Sequence, residues 1–277
     1  MEITIWQAIV LGIIEGLTEF LPVSSTGHLT IAEGLMGIPI DDKAVTAYTA
    51  VVQMGAIAAV YVYFWKDLVR MVTAWFRGLF NPARRQDFDY RFTWYVIAGS
   101  IPIGIVGFFG EDLITGPFRS LWVVAFSLIA WSGVMAFADH AATHQRTEKD
   151  LTLRDTLWIG FAQCLALIPG ISRSGSTISV GLLRDLDRVT ATKLSFYLAL
   201  PAVTAAGFYQ LPEALEGGVG PAPIIVGLVF CFAVAYVAIA WLLKFVSKHS
   251  IMIFVYYRVG LGLLLITLLV TGVLEPT

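Results

Sequence analysis

Charge is what this sequence of 277 residues has least of. Asp, Glu, Lys and Arg make up 14% of it, against roughly 25% in an ordinary soluble domain. With 57% hydrophobic residues and a mean hydropathy of +0.78, a soluble fold is excluded and an integral membrane protein is implied. Neither sign dominates the charge that is there, 18 basic against 20 acidic residues, which leaves no electrostatic footprint for a nucleic acid. Cysteine is nearly absent: Cys164 and Cys231 both lie in apolar runs and read as inert packing residues rather than a disulfide or a metal site. The N-terminus MEITIWQAIV lacks the basic stretch and small-residue cleavage site of a signal peptide, so the first segment is expected to stay in the protein.

Long hydrophobic runs are abundant. Stretches near the roughly 20 residues needed to cross a bilayer occur at about 46–65, 93–110, 121–139, 190–209, 222–243 and 251–272, predicting six crossings. The connections sort by charge. Lys66, Arg70, Arg77, Arg84, Arg85 and Arg91 follow the first span, Arg146, Lys149 and Arg154 the third, and Lys244 and Lys248 the fifth; by the positive-inside rule these are cytoplasmic. The other connections carry Asp41 and Asp42, Glu111 and Asp112, or the acidic PEALEGGVG at 212–220, and face outward with the C-terminal tail.

Two further apolar segments, 3–37 and 155–188, are each broken in the middle by proline and a cluster of small polar residues. Setting GIIEGLTEFLPVSSTGH from Gly12 against GFAQCLALIPGISRSGS from Gly160 gives a constant offset of 148, which pairs Glu15 with Gln163, Ser24 with Ser172 and Gly27 with Gly175. An internal repeat follows, one copy at about 3–139 and the other at about 155–272, inside a single membrane domain spanning 1–277. Each copy holds one broken segment and three crossings; three is odd, so the second copy must sit upside down. The loop charges agree, since 3–37 begins and ends outside and 155–188 begins and ends inside. The expected fold is an all-α integral membrane protein of six transmembrane helices and two re-entrant helical hairpins, an inverted-topology repeat whose polar clusters meet near the midplane. The competing reading, in which 3–21 simply crosses the membrane, breaks that agreement.

Glu15 and Glu19 are among the residues lipid tolerates least. Four apart and ahead of Pro22, they share a helix face on which their carboxylates repel. Something cationic belongs between them: a divalent cation such as Mg²⁺, with Ca²⁺ as the alternative, or else a proton or an arginine. After Pro22, Ser24, Ser25, Thr26 and Gly27 form a hydroxyl-rich turn into a second half-helix with His28 at its start. The hydroxyls are candidate nucleophiles, and His28 a candidate general base or a nucleophile in its own right. The bland alternatives are a glutamate that satisfies nearby backbone and a structural histidine.

The partner cluster, PGISRSGST from Pro169 to Thr177, has the chemistry of a phosphate cradle. A helix expected to start near Ser176 would bring its positive end, Ser176 and Thr177, Arg173, and the hydroxyls of Ser172 and Ser174 onto an anion. Ser24 and Thr26 add hydroxyls from the first cluster. Arg173 lies too far from either end of its segment to snorkel. GISRSGST fits a Walker A spacing except that Ser176 stands where the lysine must be, and it follows a membrane helix, so nucleotide binding is rejected. His140 and His144, an i, i+4 pair in a cytoplasmic loop, read as a solvated helix end rather than a metal site. Gly12 and Gly16 read as helix packing, and Trp65, Trp75, Trp94, Trp122, Trp158 and Trp241 as an interfacial belt.

EGLTEFLPVSSTGH and PGISRSGST, in this order and spacing on a six-span repeat, resemble the bacterial undecaprenyl-diphosphate phosphatase family, also called the bacitracin-resistance family, along essentially the whole chain. The resemblance implies hydrolysis of undecaprenyl diphosphate, released in cell-wall synthesis, to the monophosphate carrier and inorganic phosphate, with bacitracin resistance as a consequence. It also implies a site facing the periplasm or cell exterior of the bacterial inner membrane, dependence on a divalent cation, and a homodimer. Matched residue by residue, the family's acidic pair falls on Glu15 and Glu19, its hydroxyl and imidazole on Ser25 and His28, and its arginine on Arg173. Ser25 with His28 assisting is the favoured nucleophile, and direct attack by His28 the alternative. Grooves between the spans would take the isoprenyl tail, each buried CH₂ contributing roughly 0.8 kcal/mol. A transporter or flippase of an anionic isoprenyl phosphate lipid is the second class of function, since inverted repeats are its usual architecture. The imidazole and hydroxyl beside the carboxylates favour catalysis, because a carrier has no use for a nucleophile.

Overall fold

The computed structural model describes residues 3–40, 42–110 and 120–274. Asp41, Glu111 and Asp112, used in the loop-charge count, lie outside the described residues, as does the tail beyond 274. Among the described residues the fold is all-helical, with no strand. In chain order the helices are α1 (Ile5–Thr18), α2 (Ser25–Leu35), α3 (Lys43–Tyr63), α4 (Trp65–Phe80), α5 (Phe88–Phe109), α6 (Leu121–Ala141), α7 (Leu153–Cys164), α8 (Arg173–Leu183), α9 (Arg188–Glu216), α10 (Pro221–Val246) and α11 (Met252–Val270). Six of these, α3, α5, α6, α9, α10 and α11, are long and apolar enough to cross a membrane, and they are the six crossings expected. The addition is α4, which lies where the sequence suggested only a charged loop.

Each broken segment forms two short helices, α1 with α2 and α7 with α8. The longest, α1, has 14 residues and so reaches about 21 Å, less than the roughly 30 Å of a hydrocarbon core. The break is written into the local chemistry. After the turn at 19–23, Ser24 takes φ 75° and its hydroxyl accepts from Gly27 N at 3.3 Å, capping α2. Ser172 takes φ 70° and accepts from Gly175 N at 3.1 Å, capping α8. That cap starts α8 at Arg173, three residues ahead of the expected start near Ser176. Both second helices also stop alike: Ile38 N donates to Glu33 O and Leu186 N to Gly181 O, around Gly37 at φ 67° and Asp185 at φ 62°. Every one of these pairs is separated by the 148-residue offset, so the repeat extends to backbone conformations that side chains rarely adopt.

The same correspondence governs packing. α1 lies against α10, and α7 against α5. A Cβ on Gly12 would meet Gly227 O at 2.6 Å, and one on Gly160 would collide with the Gly99 carbonyl, so both contacts require two backbones in direct approach. Gly16 likewise abuts Cys231 O, and both cysteines are free thiols. α3 packs on α9 and α10, and α6 on α11.

Asp155, at the start of α7, is fully buried and ties three segments together. Its carboxylate accepts from Arg146 at 2.6 Å, Arg184 at 2.8 Å and Thr152 Oγ1 at 2.6 Å. Burial opposes its ionisation, but hydrogen bonds from Arg146, Thr152 and Arg184 outweigh burial and hold the carboxyl well below the usual range. A depressed carboxylate stabilises the fold above its unfolded pKa of about 3.9, and that contribution is lost as pH falls through the folded value. Asp155→Asn should therefore destabilise the protein at neutral pH by about 2–4 kcal/mol, less than a fully buried pair because both arginines stay partly solvated. Thermal unfolding in detergent across a pH series should show the gap to the parent narrowing below about pH 4. A gap that stays constant in acid would mean that packing, not charge, is what the substitution removes.

Candidate active site

The two hairpin turns meet at one cavity of about 680 Å³. Glu15 and Glu19 from the first hairpin and Arg173 from the second line it together with Ser24, Ser25, Thr26 and Ser172. Its wall continues along α5 and α9 through Ile103, Phe108, Val203 and Tyr209, an apolar run leading away from the charged end.

At the charged end Glu19 occupies the centre. One of its oxygens accepts from Arg173 Nη2 and the other from Ser25 Oγ at 2.7 Å. The pair is nearly dry, with side chains 10% and 3% exposed. Ser25 stands at the first position of α2 because the unusual backbone of Ser24 turns the chain there. Two groups are left over: both carboxylate oxygens of Glu15 and Nη1 of Arg173 are buried with no hydrogen bond of ordinary geometry. Glu15 faces Glu19, Gln53 and Arg173. Groups orphaned in this way cost free energy unless something else completes them. A phosphate oxygen is the natural complement of the free guanidinium nitrogen, and a cation or proton that of Glu15.

His28 does not line the cavity. Its Nδ1 contacts the Ser24 carbonyl at 2.7 Å, which requires a proton on Nδ1, and Tyr257 OH donates to Nε2 at 2.6 Å, with the two rings stacked at 5.6 Å. Both ring nitrogens are engaged in the neutral tautomer, and the imidazole holds the backbone of the strained Ser24. Among the cradle residues, Ser174 Oγ donates to Leu21 O at 3.0 Å and so bridges the hairpins. Ser176 Oγ donates to Arg173 O at 2.9 Å, and Thr177 Oγ1 to Arg173 O at 2.8 Å and Ser195 Oγ at 2.7 Å. These three hydroxyls face packed protein and not the cavity. The structure thus brings together Glu15, Glu19, Ser24, Ser25, Thr26, Ser172 and Arg173, and leaves His28, Ser174, Ser176 and Thr177 behind them. Among the described residues no three or more His, Cys, Asp or Glu side chains converge on a metal site.

One residue that the sequence reading passed over joins this set. Arg258, in the middle of α11, is fully buried. It donates to Pro22 O at 3.4 Å, Gly170 O at 2.8 Å and Ser132 Oγ at 3.2 Å. Pro22 and Gly170 are themselves 148 apart, so one guanidinium grips equivalent carbonyls at the tips of both hairpins. Gly170, at φ 96°, leaves no room for a Cβ, which would sit 2.6 Å from Val124 O. A lone arginine inside MIFVYYRVGLGLLLITLLV was the available signal, because lipid admits such a residue only for a reason.

Comparison with known proteins decides the family. The model for bacitracin resistance protein BacA matches residues 8–264. The chain belongs to this family. It is 59% identical to undecaprenyl-diphosphatase 1 of Frankia alni over 99% of both chains, and 58% identical to undecaprenyl-diphosphatase 1 of Streptomyces coelicolor, again over 99% of both. The undecaprenyl-diphosphatase of a Mycobacterium species is 49% identical over 96% of this chain and 97% of that one. With the six apolar helices, membership makes this a multi-pass membrane protein.

Because Arg258 contacts the tips of both hairpins and lies outside the cavity lining, removing it should misplace the turns without removing a ligand group. Arg258→Met is expected to lower kcat about 10²-fold, the scale of an ångström-sized displacement, with KM little changed and Arg258→Lys recovering part of the rate. An unchanged kcat in a folded Met variant would show that the tips hold their register without it.

Proposed function

We propose that this protein hydrolyses undecaprenyl diphosphate to undecaprenyl phosphate and inorganic phosphate, recycling the lipid carrier of cell-wall synthesis. The reading rests on full-length similarity to proteins named undecaprenyl-diphosphatase, and its chemistry on one observation. A serine hydroxyl is hydrogen-bonded to a buried carboxylate that also pairs with an arginine from the opposite hairpin. Bacitracin resistance is consistent with that activity and with the family name.

In the proposed reaction, Ser25 Oγ attacks the terminal phosphorus, and Glu19, already its hydrogen-bond acceptor, takes the proton. The bond from phosphorus to the bridging oxygen breaks, and undecaprenyl phosphate leaves with that oxygen. Glu19 gives that proton to the departing phosphate oxygen and is again a carboxylate. Water then attacks the phosphoserine, Glu19 takes a proton from the water and passes it to Ser25 Oγ as the bond from Ser25 to phosphorus breaks, and inorganic phosphate departs. Phosphoryl transfer depends mostly on positioning and charge stabilisation, which Arg173 supplies through Nη1 and, once Glu19 is protonated, through the rest of its fork. Two helix N-termini, capped by Ser24 and Ser172, add their positive ends. His28 acts at one remove by fixing Ser24. This arrangement favours Ser25 over His28 as nucleophile, since the imidazole faces Tyr257. The apolar wall along α5 and α9 suits the isoprenyl tail.

A divalent cation, Mg²⁺ or Ca²⁺, is part of the proposal. Glu15, with two orphaned oxygens, and Glu19 would hold it beside Gln53, with water and diphosphate oxygens as the remaining ligands in the manner usual for Mg²⁺. Bound there, it would neutralise charge on the diphosphate. We also propose that α1–α2 and α7–α8 are re-entrant hairpins of an inverted-topology repeat, supported by the matched caps, matched stops and matched glycine contacts. The membrane is the bacterial inner membrane, the cavity opens outward as the loop charges favour, and the working unit is a homodimer as the family resemblance implies.

Phosphate release from undecaprenyl diphosphate by purified protein tests the activity, and binding without release would overturn it in favour of a carrier. Ser25→Ala should reduce kcat by at least about 10³-fold, and Arg173→Lys by about 10²–10³, since an ammonium cannot reproduce the planar fork. His28→Asn should cost only about tenfold, as a residue acting through Ser24. A trapped phosphohistidine would reverse the nucleophile assignment. Glu15→Gln should weaken the restoration of activity by Mg²⁺ after EDTA, and an unchanged titration would remove Glu15 from the cation site.

A further inference from the structure

α4 joins the end of α3 to the segment before α5, and both neighbours are membrane spans, so α4 stays at the membrane face where they end. Its roll is fixed by α5: Met71 and Gly78 are buried, Thr93 Oγ1 donates to Met71 O at 3.2 Å, and Trp75 meets Trp94 edge-on at 5.6 Å. That orientation leaves a separate apolar stripe uncovered. Trp65, Val69, Val72, Phe76 and Phe80 fall on one side at helical spacing and are all exposed, Phe80 to 85%.

Beside the stripe runs uncompensated positive charge. The stretch from α4 to the start of α5 carries Lys66, Arg70, Arg77, Arg84, Arg85 and Arg91 against Asp67, Asp87 and Asp89. Arg70 takes Asp67 and Asp89, and Arg84 takes Asp87 at 3.6 Å. Arg85 caps the end of α4 through Gly78 O. Lys66, Arg77 and Arg91 have no carboxylate partner among the described residues. Where the stripe meets the charge, Phe76, Arg77, Phe80, Asn81 and Arg84 line a surface notch, so two rings and two guanidiniums share one wall.

We propose that α4 lies in the headgroup layer with its stripe toward the acyl chains, and that this notch binds the phosphate of an anionic phospholipid. An amphipathic helix flanked by cations is the form that settles at such a boundary, and an anionic leaflet supplies the charge this loop lacks. Two guanidiniums and an amide match phosphate oxygens, while Phe76 and Phe80 lie where the lipid chains begin. The exposed Arg84–Asp87 pair is weak enough to yield one partner. A second copy of the chain is the poorer occupant, because equivalent faces would set cations against cations.

The test counts lipids retained by full-length protein, in native mass spectrometry, after loading with phosphatidylglycerol or phosphatidylcholine of equal chain length. The parent should retain phosphatidylglycerol preferentially. R77Q/R84Q should lose roughly 30-fold of that preference, at about fivefold per arginine. R77K/R84K, with charge but no fork, should keep an intermediate preference, and phosphate release should be unchanged in both. If the double Gln variant does not fold, R77Q alone should lose about fivefold. Equal retention of the two lipids, or Gln variants that bind as the parent does, would overturn the proposal. Competition by inorganic phosphate as effective as that by phosphatidylglycerol would also overturn it, by reducing the notch to a free-phosphate site.

Discussion

The buried pair between Glu19 and Arg173 is the constraint on which the rest of this structure depends. Two charges taken out of water cost several kcal/mol each unless each meets the other in good geometry. Here the partners, 154 residues apart, come one from each hairpin. Neither hairpin can place its charge without the other, so the dry junction of the two tips follows from the energetics of single side chains. Arg258 answers the complementary need. Chain turns in an apolar interior leave carbonyls without donors, and one guanidinium supplies them to both turns at once.

What lipid forces was legible in the sequence. The six spans had to be long and apolar, and they coincide with α3, α5, α6, α9, α10 and α11, although α5 starts before its expected limit and α9 runs on to Glu216. The two breaks had to carry proline and hydroxyls, because a backbone that stops being helical must find other partners. Ser24 and Ser172, with Gly27 and Gly175, turned out to be those partners. Gathering Glu15, Glu19, Ser25 and Arg173 into one cavity required only that unpaired charges seek each other.

Side-chain direction was not legible. Ser172, Ser174, Ser176 and Thr177 have similar chemistry, but a helix beginning at Arg173 turns successive residues by about 100°, so only part of the set can face a ligand. Moving the helix start by three residues was enough to send Ser176 and Thr177 into packed protein. His28 illustrates a second limit. Its aromatic partner, Tyr257, is 229 residues away, and no local pattern in either segment announces the contact. Arg258 and α4 were missed for a third reason. A window average hides one cation among many apolar residues, and a count of loop charges does not ask whether those charges share a helix face.

The groups left without partners give this arrangement its direction. A site built only for stability would have closed the Arg173 fork on two acceptors and put no charge at Glu15; the matched position carries the neutral Gln163, which is buried and likewise without a hydrogen bond. Instead the first hairpin retains a carboxylate with two open oxygens, the second keeps a guanidinium nitrogen free, and both serine caps hold positive φ at about 1–3 kcal/mol each. Strain and unmet hydrogen bonds persist only where surrounding packing over-determines them, and Arg258, Ser174 and the glycine contacts at Gly12 and Gly160 provide that packing. Glu15 and Gln163 mark where the two matched turns differ, so that the acidic face lies on the first hairpin and the free guanidinium nitrogen of Arg173 opposes it from the second.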